Sequence, residues 1–290
     1  MTRLKFHILD VFAEEKYAGN QLAVVESFGS LSDSAMLDIT REFNFSETTF
    51  IGAKKPGEKG WPVRIFTPGG EVPFAGHPTL GTAWVIRMGL AKDEPEEIVL
   101  DLAAGVIPVT FEGDTAEMTQ LPPVFGPRVD HAPAARVLGL DESDVRLDLP
   151  IQIVSTGFPF LIIPLTDMDA VARCRVDTRL LSDCVEDLDA KIIYVFTDHA
   201  EHPENRIRAR CFGHYYDIPE DPATGSAAGC LAGYLKKHAV LGGGDVLARI
   251  EQGFEMGRPS VLTISAEERD GEIVVRVAGR VVKTAEGFLT

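Results

Sequence analysis

The sequence predicts an α+β protein built as two pseudo-symmetric halves, and three observations predict it. Strand-like segments are many and helices few in each half. Asp270-Gly271, between the apolar runs 261–264 and 273–277, is a hairpin signal, and hairpins argue against a purely parallel sheet. One order of features also occurs twice: Gly turn, strand, strand, Gly loop, small-residue helix. The length of 290 residues suits two domains or one large one.

The elements follow in order. Residues 5–12 are apolar and β-prone, Tyr17-Ala18-Gly19-Asn20 is a turn, and 22–25 is a buried strand. Ser32 caps a helix running to about Phe43, with Met36, Ile39 and Phe43 at helical spacing. Strands are expected at 48–51 and 63–66. A Pro/Gly loop then leads to a helix over 78–88 with Leu80, Ala83, Trp84 and Met88 on one face. Strands follow at 98–102 and 106–111. Gln120-Leu121-Pro122-Pro123 with Gly126-Pro127 suits an interdomain linker. The second half repeats the plan. Gly157-Phe158-Pro159 precedes the apolar run 160–163. The strand 208–212 then leads through a loop to Gly225-Ser226 and a helix over 226–237. The expected halves are 1–122 and 123–290, the last strand or tail being free to return to the first half.

Composition narrows the function. Hydrophobic residues make up 45% and charged residues 25%, the balance of a soluble globular protein. The net charge of −16 argues against binding nucleic acid or an anionic membrane through a broad basic face. No apolar run approaches the roughly 20 residues of a membrane-spanning helix, and Asp10 interrupts any signal-like apolar stretch. Cys174, Cys184, Cys211 and Cys230 show no CxxC spacing and are too few for a disulfide framework. A cytoplasmic, reduced protein is expected.

No dinucleotide fingerprint, phosphate loop, nucleophile elbow or zinc-protease motif is present. His199 and His202 belong to a polar stretch better read as an exposed loop than as a metal site. Gly242–244 stops a helix. Three segments carry possible chemistry. Glu47 lies in Phe45-Ser46-Glu47-Thr48-Thr49-Phe50 at a strand start. It is either a surface carboxylate or, if its aromatic neighbours strip it of water, a proton donor or acceptor near neutral pH. Pro73-Phe74-Ala75-Gly76-His77-Pro78-Thr79 and Glu220-Asp221-Pro222-Ala223-Thr224-Gly225-Ser226 each open a small-residue helix. Either alone is ordinary turn-and-cap chemistry. Together, at matching places, their free N–H groups suit a substrate carboxylate.

These segments resemble the phenazine-biosynthesis isomerase (PhzF-like) family, which shares the fold of diaminopimelate epimerase. The matching residues also include Gly19-Asn20 with Leu22-Ala23-Val24, Arg64-Ile65-Phe66-Thr67-Pro68, and Gln252-Gly253 with Met256-Gly257-Arg258-Pro259-Ser260. They run in family order from residue 19 to residue 260. The resemblance implies that each half is a curved sheet wrapped around a central helix, 78–88 and 226–237. Small residues there (Gly81, Ala83; Ala227, Ala228, Gly229, Ala232) would admit tight enclosure. It implies a site in the cleft between the halves, with Glu47, His77, Asp221 and Ser226 catalytic and Asn20, Gly76, Thr79 and Gly225 binding substrate. Glu47 is then the acid/base that moves one proton on a small carboxylic acid, dihydrohydroxyanthranilate-like or amino-acid-like. No metal or other cofactor is implied, and a homodimer is expected.

A two-thiol racemase on the same fold needs one cysteine from each half, and the first half has none. A Glu-based epimerase of another amino or hydroxy acid, and a non-catalytic binding member of the family, are the remaining alternatives.

Overall fold

The computed structural model describes residues 3–290. In chain order the elements are β1 (Leu4–Val11), β2 (Asn20–Glu26), α1 (Asp33–Phe43), β3 (Glu47–Ile51), β4 (Trp61–Thr67), β5 (Gly70–Val72), α2 (Gly76–Gly89), β6 (Glu97–Leu102), β7 (Gly105–Glu112) and β8 (Thr115–Thr119). Then come β9 (Val124–Val129), α3 (His131–Val137), β10 (Ile151–Ser155), β11 (Pro159–Pro164), α4 (Met168–Arg173), α5 (Thr178–Val185), β12 (Ile192–Thr197), β13 (Ile207–Gly213) and β14 (Ile218–Asp221). The last are α6 (Gly225–Lys237), β15 (Val246–Gln252), β16 (Ser260–Arg269) and β17 (Glu272–Leu289). The described chain divides into two compact units: residues up to Met118 together with Ala278–Thr290, and Thr119–Val277.

The pairing pattern shows the duplication strand by strand. In the first unit β1–β2 is antiparallel, β2–β3 parallel, β3–β4 and β4–β5 antiparallel, β4–β6 parallel and β6–β7 antiparallel. In the second, β10–β11 is antiparallel, β11–β12 parallel, β12–β13 and β13–β14 antiparallel, β13–β15 parallel and β15–β16 antiparallel. The two series are the same. Residues 281–289 of β17 pair with β1, so the chain's end completes the first unit. The hairpin from β16 into β17 turns at Asp270 and Gly271, both at positive φ, as an Asp-Gly turn requires.

Each sheet wraps its own helix. α2 packs on β1, β2, β3, β6 and β7, and α6 on β10, β11, β15 and β16. Both helices are apolar nearly all round, the pattern of an enclosed helix rather than a surface one. Small residues permit the enclosure. A Cβ at Gly81 would stand 2.5 Å from Leu22 Cδ2 and 2.9 Å from Val11 Cγ2. In the second unit the strands alternate between two cores. Tyr194 and Phe196 turn inward, Phe196 packing edge-on against Tyr234 of α6. Ile193 and Val195 turn outward, into the cluster capped by α3, α4 and α5.

The Ser32 cap that the sequence predicts is in place, and Asn44 adds a stop signal beyond that expectation. Ser32 accepts from the Ala35 N–H at the start of α1, and Asn44 ends the helix in the left-handed conformation. The expected linker is corrected: Gly126 and Pro127 lie inside β9, which pairs with β10. Gln120 is buried, its side chain bonded within the second unit. Among the described residues no helix is long and apolar enough to cross a membrane.

Candidate active site

The first unit brings Glu47 and His77 together at the start of α2. On β3 alternate residues face opposite ways. Phe50 enters the cluster with Met36 of α1 and with Phe66, and Phe43 packs against that cluster. Thr49 turns the other way and bonds the Thr82 hydroxyl of α2 at 2.7 Å. Thr82 already donates to the Pro78 carbonyl, so Thr49 is the donor in that pair. Glu47 shares the face of Thr49, and its Oε2 lies 3.4 Å from His77 Nε2. This corrects the sequence argument in its cause. The aromatic neighbours Phe43 and Phe50 belong to the α1 side, and α2 is what covers Glu47, leaving its side chain 18% exposed.

His77 is 5% exposed. Burial pushes its imidazole down from 6.5 to about 3, a hydrogen bond to the Gln21 backbone working weakly against this. The ring is therefore neutral at physiological pH. Among the described residues Nε2 makes no hydrogen bond, so the bond to Gln21 is through Nδ1. It favours the charged form, so Nδ1 carries the hydrogen and donates to the carbonyl. That assigns the lone pair to Nε2, facing Glu47.

The start of α2 has no side-chain cap. Ala75 precedes it, and Pro78 has no N–H. The Thr79 hydroxyl donates to the Ala75 carbonyl, as does its amide. Thr79 is thus fully buried and shapes the turn. Gly76 and His77 keep their N–H groups outside the helix's own ladder. Asn20 is buried as the first residue of β2, opposite Val11.

The second unit carries the counterpart segment. Asp221 ends β14, and Thr224 bonds its carboxylate. Gly225 opens α6 and gives its carbonyl to Gln120 Nε2 at 3.0 Å. Ser226 follows, half-buried, at the position that His77 holds on α2. The duplication also places Ile192, first in β12, where β3 has Glu47; they pair with Phe160 and Leu22 respectively. The second unit therefore lacks a carboxylate at that position.

Several residues that hold these segments are not read from the sequence as site residues. Gln21 and Tyr194 go unmarked, and Gln120, Thr224 and Gln252 enter only within a linker, a loop and a family motif. Buried Gln and Tyr carry no periodic signal, and Gln252 is visible only as part of a Gln-Gly pair. All four cysteines are free. Burial pushes the Cys174 and Cys230 thiols up to about 12 and the Cys211 thiol well up, so they are protonated and inert. His199 is exposed, and the loop's Glu201 and His202 amides are held by buried Glu251. Among the described residues no group of three His, Cys, Asp or Glu could hold a metal.

The paired curved sheets, each around an apolar helix, define an α+β protein of the diaminopimelate epimerase-like fold. A probable proline racemase from Agrobacterium radiobacter shares it with a TM-score of 0.60 at 13% identity, over 99% of this chain and 93% of that one. A Bacillus anthracis protein of the PhzF family superposes with a TM-score of 0.91 at 23% identity, each chain fully covered. A predicted epimerase from Pseudomonas aeruginosa gives 0.82 at 32% identity over 99% of both chains. Among curated proteins, an uncharacterised isomerase of Pasteurella multocida is 32% identical over 100% of this chain and 95% of its own. The trans-2,3-dihydro-3-hydroxyanthranilate isomerase of Pseudomonas fluorescens is 35% identical over 97% of this chain and 98% of its own. The family model described as phenazine biosynthesis-like protein matches residues 9–287. The chain belongs to that family and is an isomerase of it.

Proposed function

We propose that this isomerase moves one proton on a small carboxylic acid, with Glu47 as the single acid/base. The observation that carries the reading is the approach of Glu47 Oε2 to Nε2 of a buried, neutral His77. A carboxylate can take a proton from carbon and return it, and a neighbouring imidazole held neutral by burial leaves that transfer to Glu47. The unladdered N–H groups of Gly76 and His77 supply donors for the substrate carboxylate, which the helix dipole favours. The family likeness supports roles for Asn20 and Thr79 and, separately, for Asp221, Gly225 and Ser226. One carboxyl group moving one proton needs no cofactor.

A two-thiol mechanism is disfavoured because the first unit has no cysteine and the buried thiols are held protonated. Relatives named for trans-2,3-dihydro-3-hydroxyanthranilate support this substrate class. That compound is the first probe. Incubated with the protein in D2O and followed by proton NMR, it should isomerise and take deuterium at the carbon that receives the proton. No conversion would overturn the substrate class. Conversion by Glu47→Gln at the wild-type rate would overturn the carboxyl group as the carrier. The family likeness also supports a homodimer, which sedimentation would read as twice the chain mass.

A further inference from the structure

We propose that Gln252 is a positioning residue, acting through Thr224 to fix the hydrogen-bond direction at Asp221. The inference rests on the reading of Asp221 as a site residue. Gln252 is fully buried at the end of β15, and its carboxamide is saturated. Oε1 accepts from the Tyr194 hydroxyl at 3.1 Å and from the Thr224 amide at 3.3 Å. Nε2 donates to the Asp221 carbonyl at 2.8 Å and to Thr224 Oγ1 at 3.0 Å. The orientation is fixed by its partners. A backbone amide can only donate and a carbonyl can only accept, so the flipped carboxamide would set donor against donor and acceptor against acceptor.

That orientation determines where the Thr224 proton goes. Nε2 is only a donor, so Thr224 Oγ1 must accept from it. The hydroxyl donates its one proton to Asp221 Oδ2. Asp221 Oδ2 is thereby committed as an acceptor. The relay runs Gln252 to Thr224 to Asp221, and it keeps Asp221 Oδ2 an acceptor. The same carboxamide ties the end of β14 to the start of α6, so it sets the position of Gly225 and Ser226 as well.

The sharp variant is Gln252→Glu. It keeps the shape, but a carboxylate would draw the Thr224 proton to itself and reverse the relay. Thr224→Val removes the hydroxyl at similar volume, and Thr224→Ser restores it. With trans-2,3-dihydro-3-hydroxyanthranilate as probe, loss of a hydrogen bond to a charged group should lower kcat/KM by roughly 10- to 100-fold in Thr224→Val. Thr224→Ser should recover most of it. Gln252→Glu should lose activity in the wild-type background and lose little more once Thr224 is Val, because no relay remains to reverse. Independently of any substrate, proton NMR of the wild type should show a hydroxyl proton protected from exchange. It should persist in Thr224→Ser and vanish in Thr224→Val. Additive kinetic losses, or absence of the protected proton in a folded wild type, would overturn the relay. If the probe is not turned over but the protected proton behaves as stated, the substrate class fails and the relay stands.

Discussion

Gly229→Ala should destabilise the second unit out of proportion to one methyl group. A Cβ at this position on α6 would overlap Gln120 Oε1 and stand 2.5 Å from its Cδ. Gln120 is 8% exposed and cannot swing into water without giving up its partners. Its Nε2 holds the Gly225 carbonyl in the first turn of α6, and its Oε1 accepts from Thr156 at 2.6 Å. Displacing it leaves buried groups short of partners at about 1–3 kcal/mol each. Alanine returns about 1 kcal/mol of helix propensity. The expected net loss is about 2–4 kcal/mol, taking the clash and the orphaned groups together. Urea denaturation with a double-mutant cycle is the assay. In a Gln120→Ala background the clash is gone, so adding Gly229→Ala should cost almost nothing or stabilise slightly. Equal losses in both backgrounds would refute the steric argument.

Other outcomes follow from the same packing and charge. Gly81→Ala should destabilise the first unit by about 1–2 kcal/mol in urea melts, since Leu22 and Val11 crowd the new methyl while helix propensity offsets part. Because the folded pKa of His77 is depressed to about 3 from 6.5, the unfolded chain binds more protons between these values. Its linked stability is complete above pH 6.5 and is lost as pH falls towards 3. His77→Asn should therefore flatten the acid limb of urea midpoint against pH. Native protein should resist iodoacetamide at Cys174, Cys211 and Cys230, which mass spectrometry would show labelled only after unfolding. Cys230→Ala should keep wild-type turnover.

The sequence disclosed the fold through features with a local cause. Ser32 starts α1, Asp270-Gly271 turns the β16–β17 hairpin, and the enclosed helices announce themselves by their small residues. Less visible were α3, α4 and α5, whose short apolar stretches have too few turns for a clear period, and β9, where Gly126 and Pro127 imitate a linker. The candidate site was legible where backbone chemistry marks it, at Gly76-His77 and Gly225-Ser226. The cover over Glu47 was not, because facing α2 rather than the aromatics depends on which side of β3 each residue occupies. Gln252 escaped for a similar reason: its four hydrogen bonds join segments separated by up to 58 residues.

The most direct measurement of the central claim is deuterium transfer by Glu47→Gln. The variant keeps the side chain's shape and removes its capacity to exchange a proton. With trans-2,3-dihydro-3-hydroxyanthranilate in D2O, wild-type protein should convert the compound and place deuterium on carbon. Glu47→Gln, folded and still binding the compound by calorimetry, should do so slower by roughly 10²- to 10⁴-fold. Deuterium incorporation by the variant at near wild-type rate would contradict the assignment of Glu47 as the group that moves the proton.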